Sequence, residues 1–513
     1  MKTLVKGVCA NSIRDFESLA HVAEAAGCPP KQTVAIMDGN VLTRLIPTKV
    51  TSFAEYASAF ERFVYKALNA ADTVVVVFDD PEKTTLAKVE EQMRRDLNAK
   101  KREVVCSADL SAAIPKTDDY TLEQMQSLNP HDLMAHRKAR ARLFDGVCKR
   151  TMVGLSSRLQ SQEKSLIFDG IDGRGADRTV GERRSAGFYS NDAKLEKLME
   201  RPHDASPNGE GDVKLTELEC EIRYLRNEGR AFNDVRLVLI STIDTDSIAI
   251  ELMAQSARNR EAKDRPELPD PITTVLCIRE KSAKRAEPGG EESKAWYSCI
   301  DVESAHAQLC KAIAAPKDFE RNAIALLCGG WILCKSDFVE MKGLRPDAVL
   351  MATRQICESE RGRTILNRMK YAWTTELTAT FEQRARARSQ IGKCLVSLCG
   401  RAEVILHNMP RMKKASASVK DALELERSVN PPSEVVCADE NDLISTPSML
   451  FSRAAFVLVY WNGTQLCDSQ MGEWGFSLAH AASNSVTQDA PAARLPFSPE
   501  GSLPGTDLAR PLE

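Results

Sequence analysis

The 513-residue chain predicts an α/β fold with a mostly parallel central sheet flanked by helices. Two short apolar runs, "TVAIMDGN" and "DTVVVVFDDP", have the look of buried strands. Between them lies "TSFAEYASAFERFVYKALNAA", where Phe53, Tyr56, Phe60 and Phe63 recur every three or four residues, the period of a helix face. A strand, a helix and a strand at this spacing make a βαβ unit, and such units build parallel sheets.

The elements follow in order. Phe16 to Ala26 predicts an amphipathic helix ending at Gly27. The two buried strands end in acid, at Asp38 and Asp79. Lys, Arg and Glu then dominate, and residues 97–212 are expected to form a large helical insertion, or arch, between two halves of one core, 1–96 and 213–350. Within it "HRKARARL" (136–143) predicts a basic helix, while "DGIDGRGADRTVGERRSAG" and "RPHDASPNGEGD" predict mobile polar loops. A helix is expected to begin near Lys214 in "TELECEIRYLRNEG". "VRLVLISTIDTDS" predicts a strand ending in Asp244 and Asp246, and "ITTVLCIRE" with "KAWYSCID" a strand pair. The run through Ile332, Leu333 and Cys334 predicts a buried strand that delivers Asp337, followed by a turn at Gly343–Pro346. Beyond residue 350 the pattern is mainly helical, with an extension over 391–483 and a Ser/Pro/Ala-rich, disordered tail over 484–513.

Composition narrows the chemistry. The formal net charge is −3, so a nucleic-acid surface would have to be local. Fifteen cysteines and seven histidines are scattered without a C-x-x-C pair, which argues against a zinc site or a disulfide framework and for reduced thiols inside the cell. No apolar run approaches the length of a membrane span. The start, MKTLVKGVCANSIRDFESL, lacks an apolar secretory segment and carries acids early, against a mitochondrial leader. Lys100-Lys101 and Lys413-Lys414 are too short to mark a nuclear signal, although a nuclear location is expected.

Four apolar segments thus end in carboxylates: Asp38, Asp79, the Asp244/Asp246 pair and Asp337. The carboxyl ends of strands in an open parallel sheet line the crevice where ligands bind. Glu217 and Glu219 diverge in mid-helix but could both reach a site from a first turn. Clustered carboxylates without His or Cys suit Mg2+ or Mn2+, and two such ions can drive phosphodiester hydrolysis. The plain alternative is that each Asp caps the next helix.

The ordered set resembles the flap endonuclease and XPG-type structure-specific 5′ nucleases of the PIN-like superfamily. "VAIMDGNVLTRLI" and "VVVVFDDPE" are similar to that family's first two acid-ended strands, "ELECEIRYL" to its E-x-E helix start, "STIDTDSIAI" to its D-x-D strand end, and "LCKSDFVEMKGLRPDAV" to its G-S-D-Y…G-x-G-P element. The resemblance spans roughly residues 5 to 390. It implies a metal set of Asp38, Asp79, Glu217, Glu219, Asp244, Asp246 and Asp337 holding two Mg2+ ions, which Mn2+ could replace. It implies Lys88 and Arg95 as catalytic cations seven residues apart on the helix after the second strand, two residues later than the family places them, with Arg94 and Lys83 as rivals and Arg94 as a DNA contact. It also implies a helix-two-turn-helix over 337–390 that would grip a DNA backbone through Lys342, Gly343 and Arg345. The partner would be DNA with a 5′ flap or branch, with RNA as an alternative substrate and a non-catalytic nucleic-acid scaffold as another role. Departures are the residues before Gly7, Arg44 where an aromatic residue is usual, Lys335 and Arg345 in place of glycines, the large insertion, and no sliding-clamp peptide near the C-terminus.

Overall fold

The computed structural model describes residues 2–79, 129–134, 137–169, 188–199, 211–266, 268, 271–280, 296–336, 339–375, 381–429 and 449–461. The chain opens with helix α1 (Lys2–Val8) and strand β1 (Ile13–Phe16). Helix α2 (Leu19–Ala25) follows, so the stretch expected to be one helix from Phe16 is a strand end and a shorter helix capped by Ser18. Then come β2 (Thr33–Asp38), α3 (Gly39–Arg44), α4 (Phe53–Ala67) and β3 (Thr73–Val77).

Within the stretch expected as an insertion, the described residues 137–169 and 188–199 include two strands of the main sheet. Helix α5 (Arg137–Ser161) leads into β4 (Ser165–Asp169) and β5 (Phe188–Ser190), which extend the main sheet, before α6 (Ala193–Met199). Leu143, Phe144, Val147 and Leu155 of α5 are buried in the same cluster as Phe60 of α4. The chain continues through α7 (Gly211–Asn227), β6 (Leu237–Thr242), α8 (Asp246–Asp264), β7 (Thr273–Glu280), β8 (Trp296–Asp301) and α9 (Val302–Ala312).

The sheet is eight strands wide, in the order β1-β8-β7-β6-β2-β3-β4-β5. The five central strands, β7 to β4, are parallel, and the antiparallel pairs lie toward the edges. Side chains alternate across it. Val34, Ile36, Val75, Val238 and Ile240 enter one core, and Ala35, Met37, Val74, Val76 and Leu239 the other. Both faces are covered, which is why these strands are apolar throughout.

The run Glu320–Cys334 is helix α10, not a strand. Asn322 to Leu333 are all buried in it, so no polar face remains to reveal the helical period. Around α10 pack α11 (Pro346–Glu358), α12 (Glu360–Thr375), α13 (Phe381–Asn408) and α15 (Met449–Trp461), with α14 (Lys413–Val429) on α13. Leu395, Leu398, Phe456 and Leu458 join the same core as β2 and β6, so the C-terminal helices are continuous with the sheet layer. Among the described residues no helix is long and apolar enough to cross a membrane.

Candidate active site at the sheet switch point

The chain enters the sheet centre at β2, moves through β3 to β4 on one side, and later returns through β6 to β7 on the other. The order therefore reverses between β2 and β6. In an open parallel sheet that reversal leaves a crevice beyond the carboxyl ends of the strands. Asp38 ends β2 there, and Asp244 lies two residues past the end of β6.

Asp38 does two jobs. Its Oδ1 accepts the Val41 N–H at 3.1 Å, capping α3 as the plain alternative predicts. Yet its side chain is buried, and burial first, then the charge of Asp79, push its carboxyl up to about 7. Asp79 accepts the Gly211 N–H at 2.7 Å, the first amide of α7. A Cβ on Gly211 would lie 3.0 Å from Asp79 Oδ1, 3.6 Å from Asn40 Nδ2 and 4.0 Å from Asp38 Oδ1. Both carboxylates and Asn40 thus crowd the first turn of α7, and glycine allows the approach.

That turn is anchored by Lys214. Its ammonium is buried, 2.9 Å from Asp169 Oδ2 and 2.8 Å from the Phe78 carbonyl oxygen. Asp169 ends β4, and its carbonyl accepts the Phe78 N–H at 3.1 Å. The ends of β3 and β4 and one helix start are so tied together by ionic and backbone hydrogen bonds. Next to Gly211 stands Asp212, whose Oδ1 is 3.5 Å from Ser247 Oγ. Ser247 follows Asp246 in α8, and the Asp246 N–H donates to Asp244 Oδ1 at 3.0 Å. Asp212 therefore bridges from the Asp38–Asp79 side to the Asp244–Asp246 side.

The E-x-E pair is placed differently from expectation. The helix starts at Gly211, three residues before Lys214, so Glu217 and Glu219 fall in its second and third turns. Glu219 is fully buried and faces the start of β7. Its Oε1 accepts from Arg223 and, at 2.6 Å, from Thr274 Oγ1, and its Oε2 is 2.7 Å from Arg258 Nη1. Arg258 also reaches Glu251 at 3.4 Å, and Thr216 donates to Glu251. Burial would raise the Glu219 carboxyl, but Arg258 and Arg223 outweigh it and hold it below the usual range. Both oxygens being engaged, Glu219 ties α7 to α8 and β7 and does not reach the strand-end acids. Glu217 is half-buried, about 9 Å along the axis from the helix start.

The structure brings together Asp38 and Asp79, with Asp244 and Asp246 across Asp212. Asp337, Lys88, Arg94 and Arg95 lie outside the described residues. Among the described residues, no three His, Cys, Asp or Glu side chains stand close enough to form a ready metal group. The donor set still fits a hard cation: oxygen ligands only, with Asp38 resisting ionisation through burial first and the Asp79 charge second, which the Arg44 charge only partly offsets. Lys342 and Arg345 are exposed, with Gly343 at φ +88 between them, and Arg345 pairs with Asp347 at 2.9 Å.

Sequence reasoning missed Gly211, Asp212, Lys214 and Asp169. Asp169 carried the same signal as the others, an apolar run (SLIFD) ending in acid, but it stood inside the stretch read as an insertion. The chain matches no protein-family model and no curated protein.

Proposed function

We propose that the chain is a divalent-metal-dependent phosphodiesterase, a structure-specific 5′ nuclease on a PIN-like fold of the flap endonuclease and XPG type, acting on branched DNA. Beside the motif resemblance, one observation supports this most: Asp38, Asp79 and the first turn of α7 converge at the switch point of the sheet, beside Asp244 and Asp246. Asp38 and Asp79 would contribute ligands to one Mg2+ or Mn2+, and Asp244 and Asp246 would contribute to a second. Such an ion, when bound, supplies Lewis-acid activation for hydrolysis of a phosphodiester.

The chain's own residues set the stage. The Gly211 amide fixes the rotamer of Asp79. Lys214 and Asp169 hold the α7 start against β3 and β4. The Val41 amide fixes Asp38. Lys88 and Arg95 are proposed, on the resemblance, to steer the scissile phosphate.

The test is cleavage of an end-labelled double-flap DNA in Mg2+, with EDTA, Asp38→Asn and Asp246→Ala controls. A product cut near the branch and lost in all three supports the proposal; undiminished cutting by either variant ends it. Cutting of single-stranded RNA alone would transfer the same chemistry to RNA. A second role, a non-catalytic nucleic-acid scaffold, is favoured by the commitment of Glu219 to two arginines. It predicts DNA binding with no metal-dependent product.

A further inference from the structure

Two segments some seventy residues apart meet beside the end of α10. The turn at Met341–Arg345 returns to α10 through the Met341 N–H, which donates to the Leu333 carbonyl at 2.7 Å. Gly343, at φ +88, presses so closely on the start of α14 that a Cβ there would lie 2.6 Å from the Ala415 carbonyl oxygen. Arg345 Nη1 is 3.6 Å from Met412 Sδ. The contact gathers Lys342, Arg345, Arg411, Lys413 and Lys414, all exposed. Nearby acids are Glu340, Asp347 and Glu403; Asp347 is paired with Arg345, and Glu403 accepts from Ser416 Oγ at 2.6 Å. The sequence Arg411-Met-Lys-Lys414 has no acid, in a chain whose net charge is negative.

The arrangement works against the protein's own stability. Lys413 and Lys414 open the 17-residue α14, where the helix dipole disfavours cations. Arg411 adds like charge from a left-handed backbone, φ +68. A polyanion relieves this repulsion. Location selects which polyanion. Cys328 Sγ of α10 touches the Ala249 carbonyl, one turn into α8 from Asp246. Met341 sits beside Leu333, five residues or about 7.5 Å further along α10, so α10 runs from its contact with α8 to the turn that carries Lys342. Duplex DNA, with a charge about every 1.7 Å along its axis, presents phosphates at both ends of such a path.

We propose that Arg411, Lys413 and Lys414, with Lys342, form a phosphate-backbone contact for the duplex arm of a nucleic-acid substrate, making the C-terminal helices part of the binding surface. This rests on the nuclease reading only for the identity of the polyanion. The test uses a labelled duplex DNA with a 5′ single-stranded arm, bound in EDTA so that nothing is cut, at several salt concentrations. Two full-length variants are compared with wild type: Arg411→Gln/Lys413→Gln/Lys414→Gln, and a control, Lys31→Gln/Lys66→Gln/Arg230→Gln. The control removes the same charge from exposed positions at the opposite, amino-end edge of the sheet. The expected result is a slope of log K against log salt reduced by about 0.9 for each lost phosphate contact, two to three in all, in the first variant alone. Equal slopes in all three proteins, equal loss in both variants, or no binding by wild type would each overturn it. So would loss of binding to phosphatidylserine vesicles with DNA binding intact. A normal patch effect without Mg2+-dependent cleavage would leave this inference standing and remove the nuclease.

Discussion

Replacing Asp38 by Asn should stabilise the metal-free protein, and only at higher pH. The folded-state carboxyl ionises near 7 instead of 3.8, chiefly through burial and next through Asp79. A gap of about three pH units at 1.36 kcal/mol each amounts to ~4 kcal/mol. Because the folded value is the higher one, the penalty is absent below about pH 4, where both states keep the proton. Between about pH 4 and 7 the unfolded chain releases its proton first, and the wild type loses stability as pH rises. Above about pH 7 the loss is complete. Asn carries no proton to lose, and its Oδ1 can still accept from Val41. Urea unfolding in EDTA should therefore show the two proteins equal at pH 4 and Asp38→Asn more stable by up to ~4 kcal/mol at pH 8. Adding Mg2+ at a hundred times its Kd should raise the wild type by about 2.7 kcal/mol and leave the variant unmoved. Parallel stability curves from pH 4 to 8, or a variant that is weaker at pH 8, would refute the reasoning.

Other perturbations separate the groups that position from those that bind. Gly211→Ala puts a methyl 3.0 Å from Asp79 Oδ1, so cation affinity, read by Mn2+ titration, should fall while urea stability in EDTA changes by less than about 1 kcal/mol. Glu219→Gln removes the charge opposite two buried arginines and should cost ~3–5 kcal/mol in urea unfolding with Mn2+ affinity intact; the reverse pattern would make Glu219 a ligand. Lys214→Met strands the buried Asp169 carboxylate and should cost a similar ~3–5 kcal/mol, most of it restored by the double change Lys214→Met/Asp169→Leu. Gly343→Val combines positive φ with a clash against Ala415 and should destabilise by about 1–3 kcal/mol, measured by thermal unfolding.

The centre of the sheet was legible because β2, β3, β6 and β7 are buried on both faces and so appear as apolar runs bounded by acid or turn residues. The β7–β8 pair was legible for the same reason. What failed did so for physical causes. Helix α10 is apolar all round, and a short window of such a helix has no period to distinguish it from a strand. Strand β4 carries the apolar signal but stands in a polar stretch of sequence read as an insertion, and β5 is three residues long, so its pairing with β4 rather than local pattern defines it. At the site, Asp38 ends β2, Asp79 follows the end of β3, and Asp244 and Asp246 follow the end of β6, all at the carboxyl ends of central strands. The helix start lies three residues earlier than expected, because acids alone do not mark a first turn. Gly211 and Asp212, where Asp79 caps the helix from across the sheet, form that turn, and Glu219 answers to arginines that come from α7 and α8.

Whether the switch-point acids bind a divalent cation is tested most directly by Mn2+ titration followed by electron paramagnetic resonance, on wild type, Asp38→Asn and Asp79→Asn. Binding by the wild type that is lost or severely weakened in both variants, with each variant folded, is the predicted result. Wild-type protein that leaves Mn2+ free, or variants that bind it as well as wild type does, would contradict a metal centre at Asp38 and Asp79.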